Sequence, residues 1–566
     1  MALVEQKRNA SQPKEFTDII GGHGPWQLGI FTFFFFCAAS HCIHNLIMTF
    51  FAPNVDHWCA RSPKAILLNV SLEQWINESL PLVKTREGDM ERSKCTLYND
   101  SYANVSITSS LHLERHPIKC NAWEYDLSFY KATIVDKWNL VCDREWMISI
   151  TKTVYMGGFL LSSSLSGQIS DRIGRRRVVI GCLFVFLAAA FLTLLSESFL
   201  MFVILRFFIA LGMTSLFTIA IVIFPEVVSA EYRTLYGMTY KYGWVIAYML
   251  LPGIAWLIPD WFWLQLAITF PWLGLLCVFW VVPDTPSWLL AQGKIHTAKK
   301  VLLQAAKKNK KDINATKAAL VVFLSQQTKS EKKQKTTFFD LFKTPALRKC
   351  TLIIYFCWFI IGYIYYALSW NTNDLGGNPY ITFFISGAVE LPAGLIFLFI
   401  CRAIGNRKAL LIGNLSAGLC LLLLTLIPKD MTWLTITVAM AGKLFNTASF
   451  DIVFIFTAEI FPTVVRNVGL GSSSTCARIG AMGAPFIRQL GDVTHPLVPL
   501  VVPGALSIIS GLLLLLLPET KGEKLPDTLE EGEIFSRKQK LQHFYDNKVH
   551  EETQHGEATE NTPSNN

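Results

Sequence analysis

Twelve stretches of this chain are each about twenty residues long and predominantly apolar, the length a helix needs to cross the hydrocarbon core of a bilayer. They fall near 25–50, 147–169, 178–196, 199–224, 236–258, 261–282, 348–370, 379–401, 409–427, 432–457, 467–488 and 495–517. Only 16% of the 566 residues are charged and 52% are hydrophobic, which leaves too little charge to cover the surface of a soluble protein of this length. The 40 Phe and 16 Trp suit lipid-facing helices and interfacial belts. The formal charge of +9 does not indicate nucleic acid, because Lys and Arg cluster in short stretches between the apolar runs, as in cytoplasmic loops. The expected fold is therefore an all-α membrane protein of twelve transmembrane helices in two six-helix halves.

The first apolar run begins near Trp26 and is too long for the core of a cleavable signal. It is expected to insert as the first span and to leave a tail, 1–24, with Lys7, Arg8 and Lys14 in the cytosol. An even number of spans puts both termini on one side. The loop 51–146 contains four sequons, at Asn69, Asn77, Asn99 and Asn104, and four cysteines, Cys59, Cys95, Cys120 and Cys142. Glycosylation and disulfides both belong to the extracellular or lumenal face; four cysteines allow three pairings, and the sequence does not choose among them. The loop 284–347 carries Lys299, Lys300, Lys307, Lys308, Lys310, Lys311, Lys332, Lys333 and Lys335 and reads as helical and cytoplasmic. A sequon at Asn314 then lies on the wrong side and is expected to stay unmodified. Residues 519–566 turn polar and are expected to form a disordered cytoplasmic tail.

Landmarks of the N-terminal half, 25–283, recur in the C-terminal half, 348–518. Asp171-Arg172-Ile173-Gly174-Arg175-Arg176-Arg177 has a counterpart in Arg402-Ala403-Ile404-Gly405-Asn406-Arg407-Lys408. Glu226 with Arg233 is matched by Glu459 with Arg466, and Pro283-Asp284-Thr285-Pro286 by Pro518-Glu519-Thr520. The offsets, 405 − 174 = 231, 466 − 233 = 233 and 518 − 283 = 235, are nearly equal. They argue for a duplicated six-helix unit, the construction of many secondary transporters with a midplane site between repeats. The charged turns are expected to form a gate: Asp171 facing the arginine cluster, and Glu226–Arg233 and Glu459–Arg466 pairing on the cytoplasmic face, intact in one state and broken in the other.

The chain resembles the major facilitator superfamily, and within it the organic cation, organic anion and carnitine transporter family. The turns alone would be shared with sugar porters. More specific are the large first loop ending in Trp138-Asn139-Leu140-Val141-Cys142-Asp143, the segment Gly167-Gln168-Ile169-Ser170-Asp171-Arg172-Ile173-Gly174-Arg175-Arg176, Pro283-Asp284-Thr285-Pro286-Ser287-Trp288-Leu289-Leu290, and Ala458-Glu459-Ile460-Phe461-Pro462-Thr463-Val464-Val465-Arg466-Asn467. Tyr365-Tyr366-Ala367-Leu368-Ser369-Trp370-Asn371-Thr372, followed by Leu375-Gly376-Gly377-Asn378, is most similar to invertebrate organic cation transporters.

A charge at the bilayer centre costs about 2.5–3.5 kcal/mol on insertion scales and so needs a reason. His41, His44, Glu390, Lys443, Asp451 and Arg478 fall within the spans, and Lys241 lies in the fifth. The resemblance implies an acid at Asp451 for cation carriers and an acid followed by Leu391-Pro392 at Glu390 across the family. It implies an arginine at Arg478 for anion and carnitine carriers, whereas Gly394 stands where typical anion carriers have lysine. The mixture points to a zwitterion, or to a cation carrier whose Arg478 is neutralised by Asp451 or Glu390; the bland alternative is an ion pair, such as Lys443–Asp451, that binds nothing. Tyr363, Tyr365, Tyr366 and Trp370 in the seventh span, and Tyr240, Tyr242 and Trp244 in the fifth, offer faces for ammonium groups at roughly 0.5–2 kcal/mol each.

His41 and His44, spaced i and i+3 without further ligands, read as polar lining, so no metal is expected. With no nucleotide-binding, hydrolase or kinase signature, the expected function is a non-enzymatic carrier without cofactors. It would move small organic cations or zwitterions across the plasma membrane, with organic anion exchange as the runner-up and a non-transporting sensor behind it. Na⁺ or H⁺ coupling is compatible with the same construction, and the sequence does not address oligomeric state.

Overall fold

The first membrane helix starts at Pro25, where the missing N–H of proline and its fixed φ suit a first turn. The computed structural model describes residues 15–84, 90–98, 116–326, 337–428, 430–523 and 526–535. Within them the membrane helices are α1 (Pro25–Leu46), α2 (Trp146–Ile173), α3 (Arg175–Leu192), α4 (Phe199–Val227) and α5 (Tyr242–Leu257). Next, α6 (Trp261–Thr269) runs on through a 3₁₀ stretch, Phe270–Cys277, to Val278–Val281. The second set is α7 (Pro345–Trp370), α8 in two pieces (Pro379–Ala388 and Glu390–Ile404), α9 (Asn406–Leu423), α10 (Thr432–Ile460), α11 (Arg466–Gly483) and α12 (Val498–Leu514).

Among the described residues, eight of these helices are long and apolar enough to cross a membrane on those criteria alone. The other four of the twelve expected spans have visible reasons for falling short. Lys152 and a run of serines dilute α2, Ser472, Ser473, Ser474 and Arg478 dilute α11, and α5 and α12 have 16 and 17 residues. In front of α5 the chain breaks at Tyr240-Lys241, so the fifth span comprises Ala230–Thr239 and α5 together.

The helices divide into two compact units. One comprises Met1–Lys329 with Ala367–Ala388 and Met482–Pro499; the other comprises Ser330–Tyr366, Val389–Ala481 and Leu500–Asn566. The division departs from the two sequence halves at 367–388 and 482–499, and the contacts inside the first unit explain this. The Ser149 hydroxyl donates to the Pro485 carbonyl at 3.0 Å, and that of Thr153 to the Met482 carbonyl at 2.8 Å. Tyr248 and Ser386 share a 3.0 Å hydrogen bond, and Phe383 packs on both Tyr248 and Phe50 at ring distances of 4.7 and 4.9 Å. Arg488 lies 3.5 Å from Glu145.

The loop 51–146 holds three two-stranded antiparallel ribbons, a β component that the all-α expectation did not include. β1 (His57–Cys59) pairs with β6 (Trp123–Tyr125), β2 (Leu82–Lys84) with β3 (Met90–Arg92), and β4 (Thr96–Tyr98) with β5 (Pro117–Lys119). Such short ribbons have almost no core of their own, and two disulfides, Cys59–Cys120 and Cys95–Cys142, staple them. At Glu124, burial raises the carboxyl pKa, but hydrogen bonds from the Arg61 backbone and side chain outweigh it and hold the group below its usual range. Asn69 and Asn77 are exposed, whereas Asn99 and Asn104 lie outside the described residues.

The loop 284–347 is helical where described, with Pro286–Ala291, Ile295–Lys308 and Ile313–Gln326. Its Asn309 accepts from the Trp26 backbone at 2.9 Å and donates to Ile20 and Gln27, which fastens the start of α1. The expected disorder beyond 519 does not hold for the first part of that segment. Thr463 N donates to the Pro526 carbonyl at 3.1 Å, and Glu533 accepts from Ala346 N at 3.1 Å. These bonds give the polar segment partners that its composition does not reveal.

Non-reducing peptide mapping of the purified protein should recover linked Cys59–Cys120 and Cys95–Cys142 peptides; recovery of either alternative pairing would contradict this arrangement.

Candidate functional site

Two turns of the same type, each inside its own unit, gather the repeated charged residues. In the first, Gly174 has φ 109°, a left-handed conformation that glycine tolerates. A Cβ there would stand 3.0 Å from Asp284 Oδ1 and 3.1 Å from the Trp288 ring. The chain reversal sets the buried Arg175 between two acids: Nη1 reaches Asp171 at 2.5 Å and Nη2 reaches Glu226 at 2.8 Å. The Thr285 hydroxyl also donates to Glu226. Arg176 uses its backbone N–H on Asp284 at 3.0 Å and its guanidinium on the Phe279 carbonyl at 2.7 Å, while Arg172 is exposed.

The second turn repeats the layout with altered chemistry. Gly405 has φ 92°, and a Cβ on it would fall 2.8 Å from Glu519 Oε1. Asn406 stands at the Arg175 position, and its amide lies 2.8 Å from both oxygens of Glu459. Thr520, the counterpart of Thr285, donates to Glu459 at 2.5 Å. Arg407 lies 3.5 Å from Glu519 and donates to the Leu517 carbonyl at 2.7 Å; Arg402 is exposed.

The expected pairs Glu226–Arg233 and Glu459–Arg466 are not the ones formed. Both glutamates turn back to the residue after the glycine and to the threonine of the Pro-acid-Thr turn. Arg233 lies past the end of α4 and pairs instead with Glu15 at 2.9 Å. Arg466 Nε is buried with no hydrogen-bond partner among the described residues.

A second cluster lies in the unit that contains most of α7 to α11. Glu390 and Lys443 are almost completely buried and 3.4 Å apart, and the Tyr365 hydroxyl donates to Glu390 at 2.9 Å. The Lys443 ammonium also lies 5.6 Å from the Tyr365 ring centre. Tyr365 packs against Tyr366 at 5.2 Å and Phe450 at 5.7 Å. Asp451 is half-buried, and a Cβ added at Gly394 would stand 3.6 Å from its Oδ2, so the two helices meet closely beside this acid. Arg478 is buried, within electrostatic reach of Tyr366. It is carried against α7 by a close helix approach in which a Cβ on Gly480 would meet the Phe359 carbonyl at 2.2 Å. The ion-pair alternative is thus realised between Lys443 and Glu390.

The remaining predicted lining residues belong to the other unit. His41 is buried against Phe159, Phe217 and Trp244 at ring distances of 5.1–5.4 Å, with Nε2 3.3 Å from the Thr214 hydroxyl. Tyr240 packs on Phe217 and Phe224. Trp370 belongs to that unit too, and it faces Lys152 at 5.7 Å. Two buried cations went unread in the sequence, Lys152 in α2 and Arg206 in α4. Each is isolated in a run whose average is apolar, and that isolation was the available signal. His57, Cys95 and Cys142 come together with metal-ligand spacing, but both cysteines are spent in the Cys95–Cys142 disulfide.

A model of the family described as "Sugar (and other) transporter" matches residues 97–530. The chain is 37% identical over 526 residues to the organic cation transporter protein of Drosophila melanogaster, covering 92% of this chain and 94% of that one. The chain belongs to the organic cation and carnitine transporter family of the major facilitator superfamily. Human organic cation/carnitine transporter 2 is 32% identical to this family member over 534 residues, covering 91% and 93% of the two chains. Among solved structures, the partially occluded inward open xylose transporter XylE from E. coli matches it with a TM-score of 0.56 at 14% identity, over 88% of this chain and 100% of that one. This family member is therefore a multi-pass membrane transporter and not an enzyme, and its fold is the twelve-helix one.

Glu390→Gln should leave Lys443 buried without its counter-charge and lower stability by about 3–5 kcal/mol. Adding Lys443→Met should recover most of that loss in thermal unfolding in detergent.

Proposed function

We propose that the chain carries small organic cations or zwitterions across the plasma membrane by alternating access, with both termini in the cytoplasm. The observation that carries this reading is the division of labour between two acids in an aromatic setting. Glu390 is almost fully buried against Lys443 and Tyr365, whereas Asp451, beside Gly394, is the less buried of the two acids. Asp451 takes the ammonium group of the substrate, and Tyr365 and Tyr366 supply ring faces to it. Glu390 and Lys443 hold α8, α10 and α7 in register. The curated relatives support the substrate class by name: one is an organic cation transporter protein and another an organic cation/carnitine transporter.

Arg478 favours a second reading within the same site. With Glu390 and Asp451 set against Lys443 and Arg478, the four charges balance, and a substrate carboxylate would seek Arg478. That favours a zwitterion over a simple cation, and an organic anion only if Asp451 stays out of the site. The two charged turns lie each within one unit, so they stiffen that unit's helix ends and let it move as one body; they are not pairs that must break at each cycle.

Uptake of radiolabelled tetraethylammonium, carnitine and para-aminohippurate by cells expressing the chain tests this reading. Uptake of either of the first two is expected, and uptake of para-aminohippurate alone would refute it. Arg478→Asp should shift preference toward tetraethylammonium, and an unchanged profile would remove Arg478 from the site.

A further inference from the structure

Arg206 has no role in the site proposed above, and its surroundings raise a separate question. It is fully buried near the start of α4, a 29-residue helix whose other charge, Glu226, lies at the far end. None of its three nitrogens has a hydrogen-bond partner among the described residues. The guanidinium carbon lies 4.5 Å from the centre of the Tyr155 ring of α2. From α1, His44 lies within electrostatic reach, with the Ile268 backbone beside it. His44 is itself fully buried, packed edge-on against Phe186 at 5.1 Å, and neither ring nitrogen makes a hydrogen bond of normal geometry.

A guanidinium stays protonated in proteins and presents five donors with no acceptor, so burial cannot be relieved by neutralisation. A ring face compensates part of the charge but fills none of the in-plane N–H directions. Among the described residues no carboxylate makes an ion pair with Arg206. The helix therefore carries an uncompensated cation and a set of dry donors, which a negative guest would satisfy.

We propose that Arg206, with His44 and Tyr155, forms an internal site for a small monovalent inorganic anion of the size of chloride, between α1, α2 and α4. The packing sets the size. One residue along α4, a Cβ on Gly158 of α2 would meet the Phe207 carbonyl at 2.4 Å, so α2 and α4 are in near contact beside Arg206, which favours a small guest. A single unpaired guanidinium sets the charge at one. The site belongs to the unit that does not contain Glu390, Asp451 and Arg478, so it is not a second description of the substrate site.

Thermal unfolding of the purified full-length protein, at constant ionic strength, tests the proposal without reference to transport. Replacing sodium gluconate by sodium chloride or bromide should raise the melting temperature by several degrees in a saturable manner. Arg206→Met should abolish that difference, and Arg478→Gln should keep it. Equal melting temperatures of the wild type in chloride and gluconate would overturn the proposal in favour of bound water, even if Arg206→Met does not fold. A chloride effect that survives Arg206→Met, or that Arg478→Gln removes, would equally overturn it by placing the anion elsewhere.

Discussion

Inside a bilayer there is no water to satisfy a charged side chain or a backbone amide, and each must find its partner in the protein. The helices meet that demand for the backbone. For the side chains, the demand is met most visibly at Glu390 and Lys443, 3.4 Å apart with Tyr365 donating to the acid. Such a pair contributes little net stability, because the desolvation of both ions offsets their attraction. Its consequence is specificity of arrangement: α8, α10 and α7 can pack in only one register without stranding a charge. That register places Asp451 beside Gly394 and brings the aromatic pair Tyr365–Tyr366 to the same cluster.

The duplicated turns show how the same mechanical task is met with different chemistry. Glu226 is held by a guanidinium and a hydroxyl, Glu459 by an amide and a hydroxyl. In both, a glycine at positive φ brings the following residue onto the acid at the far end of another helix. The geometry is preserved although one ion pair has become a neutral–anion contact, so position within the turn matters more than formal charge.

The twelve helices and the internal repeat were legible in the sequence because run length and recurring Gly, Pro and acidic landmarks are local properties. The intramembrane charges were legible for the same reason, apart from Arg206 and Lys152, which run averages concealed. Partner choice was not legible. That Arg233 goes to Glu15, and Lys443 to Glu390, depends on which helix faces meet. The segment after 519 looked structureless because its bonds, such as Glu533 to Ala346, are long-range and leave no compositional trace. Trp370 shared a helix with Tyr365 but lies in the other unit, where Lys152 faces it.

The central claim is that Asp451, the less buried of the two acids, receives the charged group of the substrate. Equilibrium binding of radiolabelled tetraethylammonium to purified protein, wild type against Asp451→Asn, tests it most directly. The account predicts at least a roughly tenfold loss of affinity, the scale of about 1.4 kcal/mol. Equal affinities in the two proteins would contradict it.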